Sequence, residues 1–264
     1  MTLLLWILLA TAVGGLLSAA IAGVFLLLSE RSRAALLPHL VSFATGALLG
    51  ASLLGLLPQA LQGVGASRAH EIGLALVAGI GMFFVLEKLV LWRHCHADEC
   101  ETHAPQTAQN HEHHRDRASG TLILVGDSIH NALDGVLIAA AFLTNESLGI
   151  VTALAVMAHE IPQEVGDFAI LLHSGMSRGR ALFLNLMTSL TSCIGGVAAY
   201  FGLRQVMQFL PFALAIAAAC FIYVAVADLI PGLHRRVDPK ASVAQVVLIA
   251  LGVGVIWLVE TSGR

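Results

Sequence analysis

Charge is scarce in this sequence. Only 12% of its 264 residues are Asp, Glu, Lys or Arg, against about 25% in soluble domains. With 57% hydrophobic residues and a mean hydropathy of +0.83, too little polar surface remains for a large soluble domain. The net charge of −3 is too weak to recruit a polyanion, which argues against a nucleic-acid partner. Cysteine is scarce too. Of the four cysteines, Cys95 and Cys100 lie in a polar stretch and Cys193 and Cys220 in apolar ones, so no disulfide framework is implied. Long polar segments are nearly absent, the one exception being Arg93–Ser119. A basic n-region is lacking at Met1-Thr2-Leu3, and the first apolar run reaches about Leu28. A retained first span is expected rather than a cleaved signal peptide.

What is present is a series of membrane-length apolar runs. A spanning helix needs roughly 20 residues. Eight segments qualify: about Leu3–Leu28, Leu36–Leu61, Ile72–Trp92, Thr121–Leu143, Leu148–His173, Leu182–Leu203, Phe209–Ile230 and Val243–Val259. The chain is thus expected to be one all-α polytopic transmembrane domain over residues 1–264, with a hydrophilic loop at 93–119. Arg31, Arg33, Arg93, Arg115, Arg117, Arg178, Arg180, Arg235, Arg236 and Lys240 follow spans one, three, five and seven. The other side holds Arg68, Arg204 and Arg264. The positive-inside rule then predicts a cytoplasmic 93–119 loop and external termini. Leu53-Leu54-Gly55-Leu56-Leu57-Pro58 ends span two, and Val226-Ala227-Asp228-Leu229-Ile230-Pro231 ends span seven. Their opposite orientations suggest inverted repeats, spans one to three and six to eight, flanking spans four and five.

Two polar stripes interrupt this apolar pattern. In span four, Asp127, His130, Asn131 and Asp134 recur at i, i+3, i+4 and i+7 and share a helical face. In span five, His159 and Gln163 are four apart, as are Glu160 and Glu164, and Asp167 continues that face. A charged side chain at the bilayer centre costs about 2.5–3.5 kcal/mol on insertion scales. A hydrogen-bonded helix lock needs one or two polar residues, not two full stripes. Imidazole, carboxylate and amide oxygen are ligands for a borderline-to-hard divalent metal, and the lack of thiolate disfavours monovalent copper. Pro162 removes a backbone donor from span five. The candidate ligands are His130, Asn131, Asp134, His159, Glu160, Gln163 and Glu164. Asp127, Asp167 and His173 lie on the cytoplasmic side as a candidate exit path.

His130-Asn131-x-x-Asp134-Gly135 and His159-Glu160-x-Pro162-x-Glu164-Val165-Gly166-Asp167-Phe168 resemble spans four and five of the ZIP (Zrt/Irt-like) metal transporters. The branch carrying His-Glu-x-Pro-His-Glu is the most similar. Glu87-Lys88, Trp92-Arg93-His94-Cys95-His96 and Ala227-Asp228-Leu229-Ile230-Pro231 fit it as well. The resemblance implies eight spans in a three-two-three arrangement and uptake of zinc, iron or manganese into the cytoplasm. It implies a main site of His130, Asp134, His159 and Gln163, with Asn131, Asp134, Glu160 and Gln163 as an adjoining one. The chain departs from the pattern in three places. Gln163 stands where the branch has histidine, Ser192 where some relatives have glutamate, and Ala51 and Gly55 where relatives carry aspartate and histidine.

His94, Cys95, His96, Cys100, His103, His111, His113 and His114 crowd the 93–119 loop. Clustered His and Cys read as metal capture, although their spacing matches no closed structural zinc site. The expected function is transport of divalent transition-metal ions: zinc foremost, with iron, manganese or cadmium as further cargo. No prosthetic group is implied, and the plasma (inner) membrane is the expected location. The bilayer and the ion are the expected partners. A homodimer is compatible with the sequence, which carries no pattern that specifies one. The enzyme alternative is an intramembrane zinc metalloprotease using His159-Glu160. It lacks the second histidine at Gln163 and gives the span-four stripe no role.

Overall fold

A computed structural model describes residues 2–97, 112–234 and 238–262. Among these, every element is helical: α1 (Leu3–Phe25), α2 (Glu30–Gly50), α3 (Leu57–Val64), α4 (Ala69–Ala97), α5 (Glu112–Thr144), α6 (Glu146–His173), α7 (Arg178–Ser189), α8 (Thr191–Gln205), α9 (Leu210–Tyr223), α10 (Ile230–His234) and α11 (Pro239–Ser262). Helices are what such a composition must form in lipid, because each backbone polar group has to be satisfied within its own segment. Seven helical stretches are long and apolar enough to cross a membrane. The chain is a membrane protein. α6, with 28 residues, is not among the seven, because His159, Glu160, Pro162, Gln163, Glu164 and Asp167 lower its hydropathy.

The surface agrees with a lipid solvent. Val24, Leu74, Val77, Ile194, Phe201, Val243, Val246 and Trp257 are all exposed, an apolar girdle that water would not tolerate. α4 and α11 are peripheral: only 17% and 11% of their most apolar stretches are buried. The stretches containing α2 and α9 are central, at 61% and 56%. α11 packs on α2 and α4 on α9, while α1 packs on α6 and α8 on α5.

Two helices do not stop where their prolines predict. α2 passes through a π-helical segment, Ala51–Leu56, into α3. α9 passes through Val224–Leu229, also π-helical, into α10. Each π segment ends two residues before a proline, Pro58 or Pro231. A proline clashes with the carbonyl four residues back. Here those carbonyls belong to Leu54 and Ala227, inside the π segments. The wider turn absorbs the clash and the helix continues. The Ala51–Leu56 segment packs on α9 and the Val224–Leu229 segment on α2.

The α5–α6 pair is set by its turn. Asn145 alone separates the two helices, and its side chain caps α6 by accepting from the Leu148 N–H at 2.8 Å. The pair is therefore antiparallel, and the middles of both stripes meet. α8 closes on α5 through glycine. A methyl group at Gly135 would overlap the Ser192 carbonyl, and one at Gly195 would overlap the Ala132 carbonyl. This backbone contact holds the turn beside Asp134 firmly.

Beyond the expected spans, α4 runs on to Ala97 and α5 starts at Glu112. The polar 93–119 segment is thus helical at both ends. His94, Cys95 and His96 lie on the last turn of α4, and His113 and His114 on the first turn of α5. Cys100, His103 and His111 fall outside the described residues.

Candidate metal centre

Four side chains from two helices converge at mid-bundle. α5 contributes His130 and Asp134, one turn apart, and α6 contributes His159 and its neighbour Glu160. One ligand atom from each lies within 4.8 Å of all the others. The His130 and His159 Nε2 atoms are 3.3 Å apart. His159 Nε2 stands 3.3 Å from Asp134 Oδ2 and 3.6 Å from Glu160 Oε1. His130 Nε2 stands 3.7 Å from Asp134 Oδ2 and 3.4 Å from Glu160 Oε1. Nitrogen and oxygen ligands about 2.0–2.1 Å from a tetrahedral zinc ion are themselves about 3.3–3.4 Å apart. The five nitrogen–nitrogen and nitrogen–oxygen separations, 3.3–3.7 Å, are therefore close to those of a tetrahedral two-nitrogen, two-oxygen coordination shell.

The local backbone prepares these ligands. The His159 Nδ1 lies 3.2 Å from the Ala155 carbonyl. A ring proton there is held by that carbonyl, which leaves the Nε2 lone pair facing the centre. Among the described residues, Asp134 Oδ2 and both Glu160 carboxylate oxygens are buried without a hydrogen-bond donor. Orphaned acceptors in a membrane interior demand a cation or a proton. The His159, Asp134 and Glu160 side chains are each 2% exposed, whereas His130 keeps 22%. The centre is most open at His130.

The remaining candidates divide. Asn131 turns away from the four and donates to the Asp127 carboxylate at 2.8 Å and the Asp127 carbonyl at 3.1 Å. Gln163 is half-buried one turn along from His159. Glu164 is fully buried and faces α7, where it accepts from the Asn185 amide and, at 2.7 Å, from the Ser189 hydroxyl. Asp127 is buried and Asp167 half-buried on the same side of the centre as Glu164. His173 ends α6. Asn185 and Ser189 were not legible as site residues. They sit in an arginine-flanked, outwardly ordinary helix, and only the i, i+4 spacing of two polar residues marks them.

A buried cluster of two imidazoles and two carboxylates between two helices of a membrane bundle is a group that could hold a divalent metal ion. The ZIP Zinc transporter family model matches residues 2–260; the chain belongs to this family, whose members are transporters rather than enzymes. Among curated proteins, the chain is 33% identical over 234 residues to "Zinc transporter ZIP13" of Pongo abelii, covering 84% of this chain and 66% of that protein. It is 30% identical over 321 residues to "Zinc transporter zipt-7.1" of Caenorhabditis briggsae, covering 98% and 80%. With "Zinc transporter ZIP4" of Mus musculus it shares 32% identity, over 76% of this chain but only 39% of that protein. The protease alternative fails on this membership.

Proposed function

We propose that this protein carries divalent transition-metal ions, zinc foremost, across the membrane into the cytoplasm. His130, Asp134, His159 and Glu160 are the transport ligands, with Asn131 and Gln163 adjoining and Glu164, Asp127, Asp167 and His173 leading inward. The observation that carries this reading is the tetrahedral spacing of four buried ligand atoms on two packed helices. Two imidazoles and two carboxylates suit zinc and also admit iron, manganese and cadmium. Burial of three of the four argues against a surface sensor, since an ion reaches such a site only along a path through the bundle.

The architecture we infer is eight spans, three plus two plus three, with α6 as the eighth. At about 1.5 Å per residue its 28 residues reach about 42 Å, beyond the roughly 30 Å hydrocarbon core. Packing supports the inverted repeat. α2 with α11 mirrors α9 with α4, the two π segments pack reciprocally, and α1 on α6 mirrors α8 on α5. The arginine distribution supports external termini and a cytoplasmic 93–119 segment, whose histidines and cysteines capture the emerging ion.

The test is uptake of labelled zinc, iron, manganese and cadmium by purified protein in sealed liposomes. Zinc accumulation above protein-free vesicles, lost in Asp134→Ala and His159→Ala, is expected. Accumulation that survives both substitutions overturns the site, and no accumulation of any of the four metals overturns the transport reading.

A further inference from the structure

On the other side of Asn131 from the central ligands lies a second polar nest, at the junction of α5, α6 and α7. Asp127 comes from α5, Glu164 from α6, and Asn185 and Ser189 from α7. Asp127, Glu164, Asn185 and Ser189 are all at least nine-tenths buried. The Asn185 amide nitrogen donates to one Glu164 oxygen, and the Ser189 hydroxyl reaches the other at 2.7 Å. Asn131 donates to Asp127 Oδ1 at 2.8 Å. Asp127 faces α7 at Thr188, whose hydroxyl also lies 2.8 Å from the Asn185 carbonyl. Among the described residues, Asp127 Oδ2 and Asn185 Oδ1 are left buried with no hydrogen-bond partner.

Both orphans are acceptors. Turning the Asn185 amide over would set its oxygen against the Glu164 carboxylate and lose the hydrogen bond, so the amide oxygen is kept for something else. Asp127 and Glu164 bring two buried carboxylates to this junction. The sequence from 118 to 177 holds no Lys or Arg to offset them. Acceptors left over once these donors are spent, in a membrane interior, are completed by a cation or a proton.

We propose that Asp127, Glu164 and Asn185 form a second, all-oxygen subsite that receives a divalent metal ion from the central four ligands. This rests on the transport reading above. The two sites differ in hardness. The central one offers two imidazole nitrogens, whereas the inner one offers carboxylate, amide and hydroxyl oxygen only. Oxygen-only sites hold zinc less tightly than imidazole sites do and suit manganese better. An ion passing from the first to the second therefore steps down in affinity without being stripped bare, which favours release. Asn185 supplies a neutral oxygen where a third carboxylate would bind too firmly.

The test counts manganese on the full-length protein in nanodiscs, reading free Mn²⁺ by electron paramagnetic resonance. The wild type is expected to bind two ions per chain. His130→Ala/His159→Ala is expected to keep one, the weaker. Adding Asn185→Leu to that double variant removes it. Adding Asn185→Asp instead tightens it by roughly tenfold, because ligand charge raises affinity at oxygen sites. If Asn185 merely ties α7 to α6, Asn185→Asp sets a carboxylate against Glu164, lowers the melting temperature and does not tighten Mn²⁺. A double variant that binds no Mn²⁺, or an isotherm insensitive to both Asn185 substitutions, overturns the subsite. Failure of the transport reading looks different: two bound ions with no uptake into liposomes.

Discussion

His159→Ala tests the centre most directly. Its ring is 2% exposed, its Nδ1 lies against the Ala155 carbonyl and its Nε2 is within 3.3–3.6 Å of all three partner atoms. Alanine removes one of four ligands and leaves Asp134 and Glu160 facing one imidazole. Loss of a residue that only supports a ligand costs about 10–100-fold in metal affinity. Loss of a ligand so positioned is expected to cost at least about 100-fold, or about 2.8 kcal/mol. The consequence can be read from thermal stability. At zinc set to 100 times the wild-type Kd, binding stabilises the wild type by about 2.7 kcal/mol. At the same zinc the variant sits near its own Kd and gains only about 0.4 kcal/mol. The zinc-dependent rise in melting temperature should therefore nearly vanish, while the metal-free melting temperature stays within a few degrees of the wild type. Competition against a chromophoric chelator gives the affinity independently. A variant within about threefold of the wild-type zinc affinity would refute the tetrahedral assignment.

Three further outcomes follow from other parts of the molecule. Gln163→His restores an imidazole one turn from His159, and should raise zinc affinity relative to manganese in uptake competition; an unchanged ratio removes Gln163 from the ion's surroundings. Gly135→Val drives a side chain into the Ser192 carbonyl, so it should separate α5 from α8 and sharply lower the detergent melting temperature, while Gly166→Ala, with open space around it, should change little. Equal melting temperatures for the two would show that the α5–α8 contact is not close. In a cysteine-free background, a membrane-impermeant thiol reagent should label cysteine placed at 167 from the cytoplasmic side and leave cysteine at 138 unlabelled from outside, because Ile138 is buried among apolar residues and Asp167 adjoins the polar nest. The reverse pattern inverts the orientation or the gate.

The stripes were readable because intramembrane charge is costly and helical spacing is regular. Asp127, His130, Asn131 and Asp134 could be assigned to one face from i, i+3, i+4 and i+7 alone. Which of them meets α6 could not, because that depends on the rotation of α5 against a partner. Asn131 and Asp127 bond each other instead of joining the four. Glu160, which the resemblance places in the adjoining site, stands with the His130, Asp134 and His159 ligand atoms. This choice is a matter of helix azimuth, which side-chain type does not encode. Proline is disruptive within an α-helix, so Pro58 and Pro231 taken alone suggest breaks near the ends of spans two and seven. A π turn ahead of each lets the chain continue, and nothing in residue type announces a π turn. Asn185 was invisible for a related reason: its importance lies in what α6 brings to it.

The two halves of the α5–α6 pair differ in what an ion would meet. On one side of the four ligands lie Leu137, Ile138, Ala139, Ala140, Ala141 and Phe142 on α5, and Leu148, Val151, Ala155 and Val156 on α6, all buried in one apolar core. On the other side lie Asp127, Glu164, Asp167, Asn185 and Ser189. A divalent ion cannot cross the first half without replacement ligands, because bare charge in hydrocarbon is prohibitive. It can cross the second by exchanging one oxygen for another. The helices lining the apolar half must therefore separate for an ion to pass there, whereas passage through the polar half needs only side-chain exchange. Gly135 against Ser192 binds α5 to α8 so closely that these two must travel together. The Ala51–Leu56 and Val224–Leu229 segments carry the weaker i→i+5 geometry and lie where α2 and α9 pack across the repeats. The movement that admits an ion is thus expected at the seam between the α5–α8 unit and the α2–α9 pair, where helical hydrogen bonding is already loosened.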